Sequence, residues 1–398
     1  MKRKSNLSLA GGLLVATGLL LVAAGCGSST SSDDAASTET ISAETVIPTD
    51  EVSAAQAIVD QYGTPPTEIL QTIPLTGEVT TDRPLVFMQC ELPACQVLME
   101  GTKVAAEAMG WNFKVINVTN TDATTILSGL TEALTYNPIA TIVTGFPQAF
   151  WAEKIPEYEK AGSMIVPMEV GVVTPTSPAI ESVVAGVGKV PVVVKGAGGG
   201  LDHAAEGVVI ANYIIANSNA EAHVLVQDTP DYDVLSAMAV ALKKEMTAKC
   251  QKCVVTSLDS TLPQIGAGEV ISSIISELQK DRSIKWLAGS FLQFFDGVEV
   301  AMEAAGITDV KILGSEPSVS NLQSIKDGKW EAAMGSSIDM RGWLAVDIIA
   351  RNMLGMEIPS EAIGEPMMLF TTSNVVVAEA MPYPADFPAQ FKKLWARK

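Results

Sequence analysis

Histidine is almost missing: the chain has two in 398 residues, His203 and His223. Neither has a partner at metal-ligand spacing, so a zinc centre and histidine-based catalysis both lack their parts. Basic residues are scarce too, 26 Lys and Arg against 45 Asp and Glu, giving a net charge of −19. A chain this acidic repels DNA, RNA and anionic lipid, which excludes nucleic acid as a partner. KGAGGG at Lys195–Gly200 lacks the Gly-Lys-Ser/Thr ending of a phosphate loop, and no nucleotide fingerprint follows the first predicted strand. No Gly-x-Ser-x-Gly elbow precedes a later histidine. These absences leave no catalytic class with its full set of residues, so the chain reads as a binder, with no enzyme activity, cofactor or metal.

Long apolar runs are absent after the first few residues. The chain opens with Lys2, Arg3 and Lys4, continues through an apolar segment from Leu7 to Ala24, and reaches Leu-Val-Ala-Ala-Gly-Cys ending at Cys26. A basic start, a short apolar core and small residues predict a secretory signal over 1–25; a retained membrane anchor is the alternative. The Ala-Gly-Cys end resembles a bacterial lipoprotein lipobox. That resemblance implies cleavage before Cys26 and lipid on its thiol and new amine, which would hold the protein on the extracytoplasmic face of the cell membrane. Residues 26–50 are mostly Ser, Thr, Asp and Ala with nothing to bury, and predict a disordered tether. Losing Lys2, Arg3 and Lys4 takes the net charge from −19 to −22.

Cysteine is sparse. Five occur, and setting Cys26 aside leaves Cys90, Cys95, Cys250 and Cys253. Outside the cytoplasm an even number reads as disulfides, with three possible connectivities. Proximity favours Cys90–Cys95 and Cys250–Cys253, each closing a small loop. CQKC has the spacing of a redox pair, but such a pair needs its first thiol at a helix N-terminus just after a strand. Here it follows a lysine-rich helix end and precedes a strand, which favours a structural clip.

What the chain has in quantity is alternation. From Leu85 to Gly145 an apolar strand, an amphipathic helix over Val97–Met109, a strand from Phe113, a helix over Thr125–Tyr136 and a strand over Ile139–Thr144 follow one another. Trp151–Ala161 reads as helical despite Pro156. Met164–Pro167 and Pro191–Lys195 read as strands. After the glycines at Gly198–Gly200 a second block runs to Val377, with helices over Ala204–Ala216, Ser236–Met246, Val270–Gln279, Gly297–Ala305 and Trp343–Leu354. Strands between them centre on Leu225, Val255, Leu287, Ile312, Ala333 and Leu369, with a further candidate at Val375–Val377. A lead-in over 51–83 with a short helix and a terminal helical tail over 381–398 flank this body. The fold class is α/β, two Rossmann-like lobes with parallel sheets.

In such sheets the residues past the carboxyl ends of the strands form the ligand crevice. Those positions offer Gln89, Glu91, Ala94 and Cys95 after the first strand, and Phe146 and Trp151 after the third. In the second block they offer Asp202, Asp228, Phe291, Gln293, Phe294, Glu316 and Arg341. FLQFF at Phe291–Phe295 reads as an aromatic wall or as the start of a core-facing helix. Asp202–His203 reads as a ligand contact or as ordinary helix capping.

The signal, the lipobox and the paired α/β lobes together resemble the periplasmic-binding-protein family, ribose-binding, LacI-like type. The residues carrying the resemblance are LPACQVLMEGTKVAAEAMGW in the first lobe and the stretch from Phe294 to Gly355 in the second. It implies a substrate-binding lipoprotein of an ABC importer, a monomer working with a membrane permease, whose lobes close over a solute by a hinge crossed several times. The implied boundaries are 84–197 with 337–365 for the first lobe and 198–336 with 366–380 for the second. Set against the family's sugar contacts, the aromatic wall of the first loop falls on Ala94 and Cys95 and is missing, and a polar Asn-Asp pair falls on the apolar Phe291 and Leu292. That favours a partly apolar or aromatic solute over a free sugar, with Arg341 as the one bidentate partner for any carboxylate it carries. A sugar receptor and a ligand sensor for a membrane signalling protein are the alternatives.

Overall fold

The computed structural model describes residues 50–119, 122–171, 179–378, 381 and 383–397. The predicted signal segment, Cys26 and all but the last residue of the tether lie outside them. No helix of the described residues is long and apolar enough to cross a membrane.

In chain order the elements begin with α1 (Asp50–Val59), β1 (Leu85–Gln89), α2 (Pro93–Met109), β2 (Phe113–Asn117), α3 (Ala123–Thr135) and β3 (Ala140–Thr144). Next come α4 (Ile155–Ala161), β4 (Met164–Met168), β5 (Ala179–Glu181), β6 (Lys189–Pro191), α5 (Gly200–Asn217), β7 (His223–Asp228), α6 (Asp233–Lys249) and β8 (Val254–Asp259). The chain ends with α7 (Leu262–Gly266), α8 (Val270–Lys280), β9 (Trp286–Gly289), α9 (Val298–Ala304), β10 (Lys311–Ser315), α10 (Val319–Lys326), β11 (Ala332–Gly335), α11 (Ile338–Met353), β12 (Met368–Thr371) and α12 (Phe387–Leu394).

Two sheets organise this series. The first lobe holds a four-stranded parallel sheet in the order β2-β1-β3-β4, and the second a six-stranded sheet in the order β12-β11-β10-β9-β7-β8. Only β12 among the second sheet's strands runs antiparallel, against β11. Helices cover both faces, so central strands are buried along nearly their whole length and mostly apolar, as in β1 and β3. In β7 the two faces separate cleanly: Val224 and Val226 join α5 and α6 in one core, while Leu225 joins α8 and α9 in another. The architecture is the two-lobed α/β fold expected from the alternation.

Three local departures have visible causes. Pro191–Lys195 is not a regular strand: β6 ends at Pro191 and pairs with β5, and the chain beyond lies along β4 through isolated bridges. Ile165 N donates to Val192 O and Glu169 N to Ala197 O, but between them Pro167 has no N–H to give. The helix read over Trp151–Ala161 begins only at Ile155, because Pro156 is tolerated in a first turn and not beyond it. Val375–Val377 forms no strand, since the turn at Asn374, whose side chain accepts from Thr371 N, ends β12.

Helix α11 begins at the end of the second lobe's β11 but packs on α2 of the first lobe. The crossing is close because it is made at glycines: a Cβ on Gly101 would fall 2.2 Å from Asp339 O, and one on Gly342 the same distance from Thr102 N. Helix α12 covers the outside of α11, where Trp343 stacks on Trp395 at 5.3 Å and on Phe391 at 6.1 Å. At the other end of the chain α1 packs on α5 of the second lobe. The chain then returns to the first lobe between Gly63, whose carbonyl accepts from Asn374, and Thr67, whose carbonyl accepts from Gln390 of α12.

Candidate functional site

Strand ends from both sheets meet between the lobes and enclose a cavity of about 90 Å³. The first lobe supplies the Cys90–Cys95 loop after β1, Phe146 after β3 and Glu169 after β4. The second supplies Tyr232 after β7, Phe291 and Phe294 after β9 and Glu316 after β10. His203 from α5 and Arg341 from α11 complete it. The lobes touch across this space. Phe146 meets Tyr232 edge-on at 6.1 Å, Leu92 and Ala94 pack against the cluster of Tyr232, Leu235 and Phe291, and Gly171 N donates to Asp233 at 3.2 Å.

The cavity is apolar on most sides and densely charged on one. Its apolar walls are Leu92, Leu98, Leu235, Ile338 and the four aromatic rings. At the charged side Arg341 is buried among three carboxylates that come from separate parts of the chain. Its Nε donates to Glu365 at 2.5 Å, Nη1 faces Glu169 at 2.8 Å, and Nη2 donates to Glu316 at 2.5 Å and to Ser336 at 2.7 Å. His203 lies between Glu169 at 3.2 Å and Glu206 at 3.1 Å. Glu169 and Glu316 each follow a strand, one per lobe, and each has a left-handed backbone, φ 53° and 55°. For a residue with a Cβ this conformation is strained, and here the buried guanidinium holds both carboxylates in place.

Burial and charge pull these groups in opposite directions. Burial lowers the Arg341 pKa, but the charges of Glu169, Glu316 and Glu365 outweigh it and hold the guanidinium well above its ordinary value. Burial likewise works against charging His203, and Glu206 and Glu169 overcome it, so its pKa stands well above the usual one. Burial pushes Glu365 up to about 8 and Asp202 up to about 6. For Glu316 burial raises and Arg341 lowers, and the net direction is down. His203, Glu206 and Glu316 can also bring one ligand atom each within 4.8 Å of one another. Both ring nitrogens of His203 face carboxylates, which leaves neither lone pair for a metal ion.

Of the residues singled out in the sequence, Ala94, Cys95, Phe146, Phe291, Phe294, Glu316 and Arg341 line the cavity. Gln89 ends β1 beside Asn117, and Glu91 is exposed on the loop. Trp151 is fully buried in the first-lobe core and donates its indole N–H to Phe146 O at 3.0 Å. Asp228 pairs with Lys243 at 2.9 Å, away from the cavity. Gln293 lines a neighbouring groove of about 950 Å³ that shares Ala94 and Ile338 with the cavity. Asp202 sits in the first turn of α5, capped instead by Gly199, and accepts from Glu365 N at 3.4 Å. Arg341, read as a bidentate partner for a solute carboxylate, has its guanidinium engaged by Glu169, Glu316 and Glu365. Glu169, Tyr232 and Glu365 were not singled out; for the first two, position just past a strand was an available signal.

The sulfur atoms of Cys90 and Cys95 lie 2.06 Å apart, and those of Cys250 and Cys253 2.01 Å apart. The first pair forms part of the cavity wall. The second closes the end of α6, with Cys250 as the C-cap residue and β8 just beyond.

The fold and this interlobe site define the class: a two-lobed periplasmic-binding-protein fold. No protein-family profile matches the chain, and no curated protein sequence does. Solved structures do. A 5-methylthioribose transporter solute-binding protein from Thermotoga lettingae, in complex with 5-methylthioribose, is similar with a TM-score of 0.62 and 15% identity over 82% of this chain and 99% of that one. An ABC sugar transporter subunit from Rhodobacter sphaeroides gives 0.59 and 16% over 73% and 99%. An ABC transporter solute-binding protein from Agrobacterium vitis, bound with α-D-tagatopyranose, gives 0.60 and 16% over 78% and 99%.

Proposed function

We propose that this chain is the extracytoplasmic solute receptor of an ABC importer, binding a small organic molecule between its lobes without altering it. The observation that carries the reading is the interlobe cavity itself, walled by the carboxyl ends of strands from both sheets. An open cleft admits the solute, and closure buries it against groups from each lobe. A lipid on Cys26 and a tether over 26–50 are part of this proposal, and the pairing of Cys90 with Cys95 and of Cys250 with Cys253 supports it, since a receptor outside the membrane works in an oxidising compartment. Handing the ligand to a membrane sensor would use the same cleft.

The ligands named for the similar structures are sugars and a methylthio sugar, which favours a sugar-like solute over a purely aromatic one. The cavity is compatible with a compact ring that has one apolar face. The rings of Phe291 and Phe294 would cover that face, and the charged side would meet its polar groups. An engineered cavity of about 150 Å³ holds benzene. At about 90 Å³ this one is nearly shut, so binding a ring requires the lobes to part. Thermal shift and tryptophan fluorescence with pentoses, hexoses, methylthio sugars and aromatic acids test the reading. A saturable rise in melting temperature with a sugar is expected. Purely aromatic ligands acting alone would return the solute class to the aromatic reading, and turnover of any bound compound would end the receptor reading.

A further inference from the structure

The polar side of the cavity has few donors left to offer. An arginine has five N–H bonds, and those of Arg341 have acceptors in Glu365, Glu169, Ser336 and both oxygens of Glu316. Both ring nitrogens of His203 face carboxylates, Glu169 and Glu206. What these groups leave toward the cavity is carboxylate lone pairs on Glu169 and Glu316. A solute carboxylate or phosphate would meet acceptors and like charge, whereas a donor would meet partners.

Charge separates one kind of donor from another. Five carboxyl groups, on Glu169, Glu206, Glu316, Glu365 and Asp202, gather around only two basic side chains, Arg341 and His203. A hydroxyl can satisfy a lone pair, but only a cation offsets this excess in a low-dielectric site. The other walls suit the apolar body of such a molecule: Phe291 and Phe294 meet edge to face at 4.8 Å, and Tyr232 stands beside them.

Resting on the solute-receptor reading, we infer that the bound molecule carries a protonated amine, seated toward Glu169 and Glu316 with its body against Tyr232, Phe291 and Phe294. An amino sugar and a small aryl amine share this chemistry, and the test separates them. Calorimetry and thermal shift at neutral pH compare two matched series: D-glucosamine, D-glucose and D-glucuronate, then 2-phenylethylamine, 2-phenylethanol and phenylacetate. In parallel, mass spectrometry identifies any small molecule released from the denatured full-length protein. The amine of at least one series binds about tenfold or more tighter than its neutral counterpart, and the acid does not bind. Glu316→Gln and Glu169→Gln each shrink that preference, so the result does not depend on either variant folding alone. A co-purified molecule with a protonatable nitrogen supports the inference, and one without it overturns it. A neutral compound binding as tightly as its amine also overturns it while leaving the receptor reading intact. No binding in either series and no released molecule would overturn both.

Discussion

Arg341→Met isolates the ion cluster between the lobes. The guanidinium is buried and engages Glu316 from the second lobe, Glu169 from the first and Glu365 from the segment joining α11 to β12. Methionine fills similar volume, so the change removes charge and hydrogen bonds with little cavity. Removing one partner of a buried ion pair costs roughly 3–5 kcal/mol, because the remaining charge is left uncompensated. At about 2–4 °C per kcal/mol for domains of 150–250 residues, the melting temperature falls by roughly 10 °C. The loss also acquires a pH signature. Without the guanidinium the Glu316 carboxyl is no longer held below its ordinary value and rises instead. A carboxyl whose folded pKa is raised destabilises the fold as pH climbs through that range, so the deficit is largest near pH 8 and narrows toward pH 5. Circular-dichroism melts of wild type and variant across pH 5–8 measure this. Arg282→Met, at an exposed position, is the control and stays within about 0.5 kcal/mol. An Arg341→Met protein that melts with the wild type, or whose deficit widens on acidification, would refute the electrostatic account.

Further outcomes follow from the same geometry. In the wild type, Asp202 and Glu365 are raised to about 6 and about 8 from 3.8 and 4.5. Their folded forms therefore bind protons the unfolded chain has lost, and His203, also raised, acts in the same direction. Stability should fall as pH rises from about 5 to about 9, and a melting curve against pH with the opposite slope would contradict it. Trp151→Ala costs about 3–5 kcal/mol as a core cavity, while Phe291→Ala lowers solute affinity more than stability; equal effects of the two on affinity would misplace the site. Opening the six-residue Cys90–Cys95 loop by Cys90→Ala with Cys95→Ala costs about 2 kcal/mol on the chain-entropy estimate, and weakens solute binding because that loop is cavity wall. Gly101→Ala drives a methyl into Asp339 O and destabilises by about 1–3 kcal/mol or more, seen as an earlier urea midpoint.

The lobes were legible because apolar periodicity is local: β1, α2 and β2 can each be read from fewer than twenty residues. The aromatic wall was legible for the same reason, since Phe291 and Phe294 follow directly on a strand. Trp151 also follows a strand, yet its indole finds a partner in Phe146 O and turns into the core. Arg341 was visible as a charge but not as a quenched one. Its acids stand at 169, 316 and 365, and no spacing along the chain reports that they converge. Glu169 stands just past a strand, but nothing local separates it from an ordinary exposed acid. The strand stops there through a left-handed backbone, which glycine would have advertised and glutamate does not.

Between Gly63 and Thr67 lie only Thr64, Pro65 and Pro66. Their flanking carbonyls are fastened to opposite halves of the molecule, one by Asn374 and the other by Gln390. Four residue steps reach about 14 Å at full extension, and the prolines remove most of the slack. While both anchors hold, the two carbonyls can stand no further apart than that span, so this short run bounds any separation of the halves along its edge.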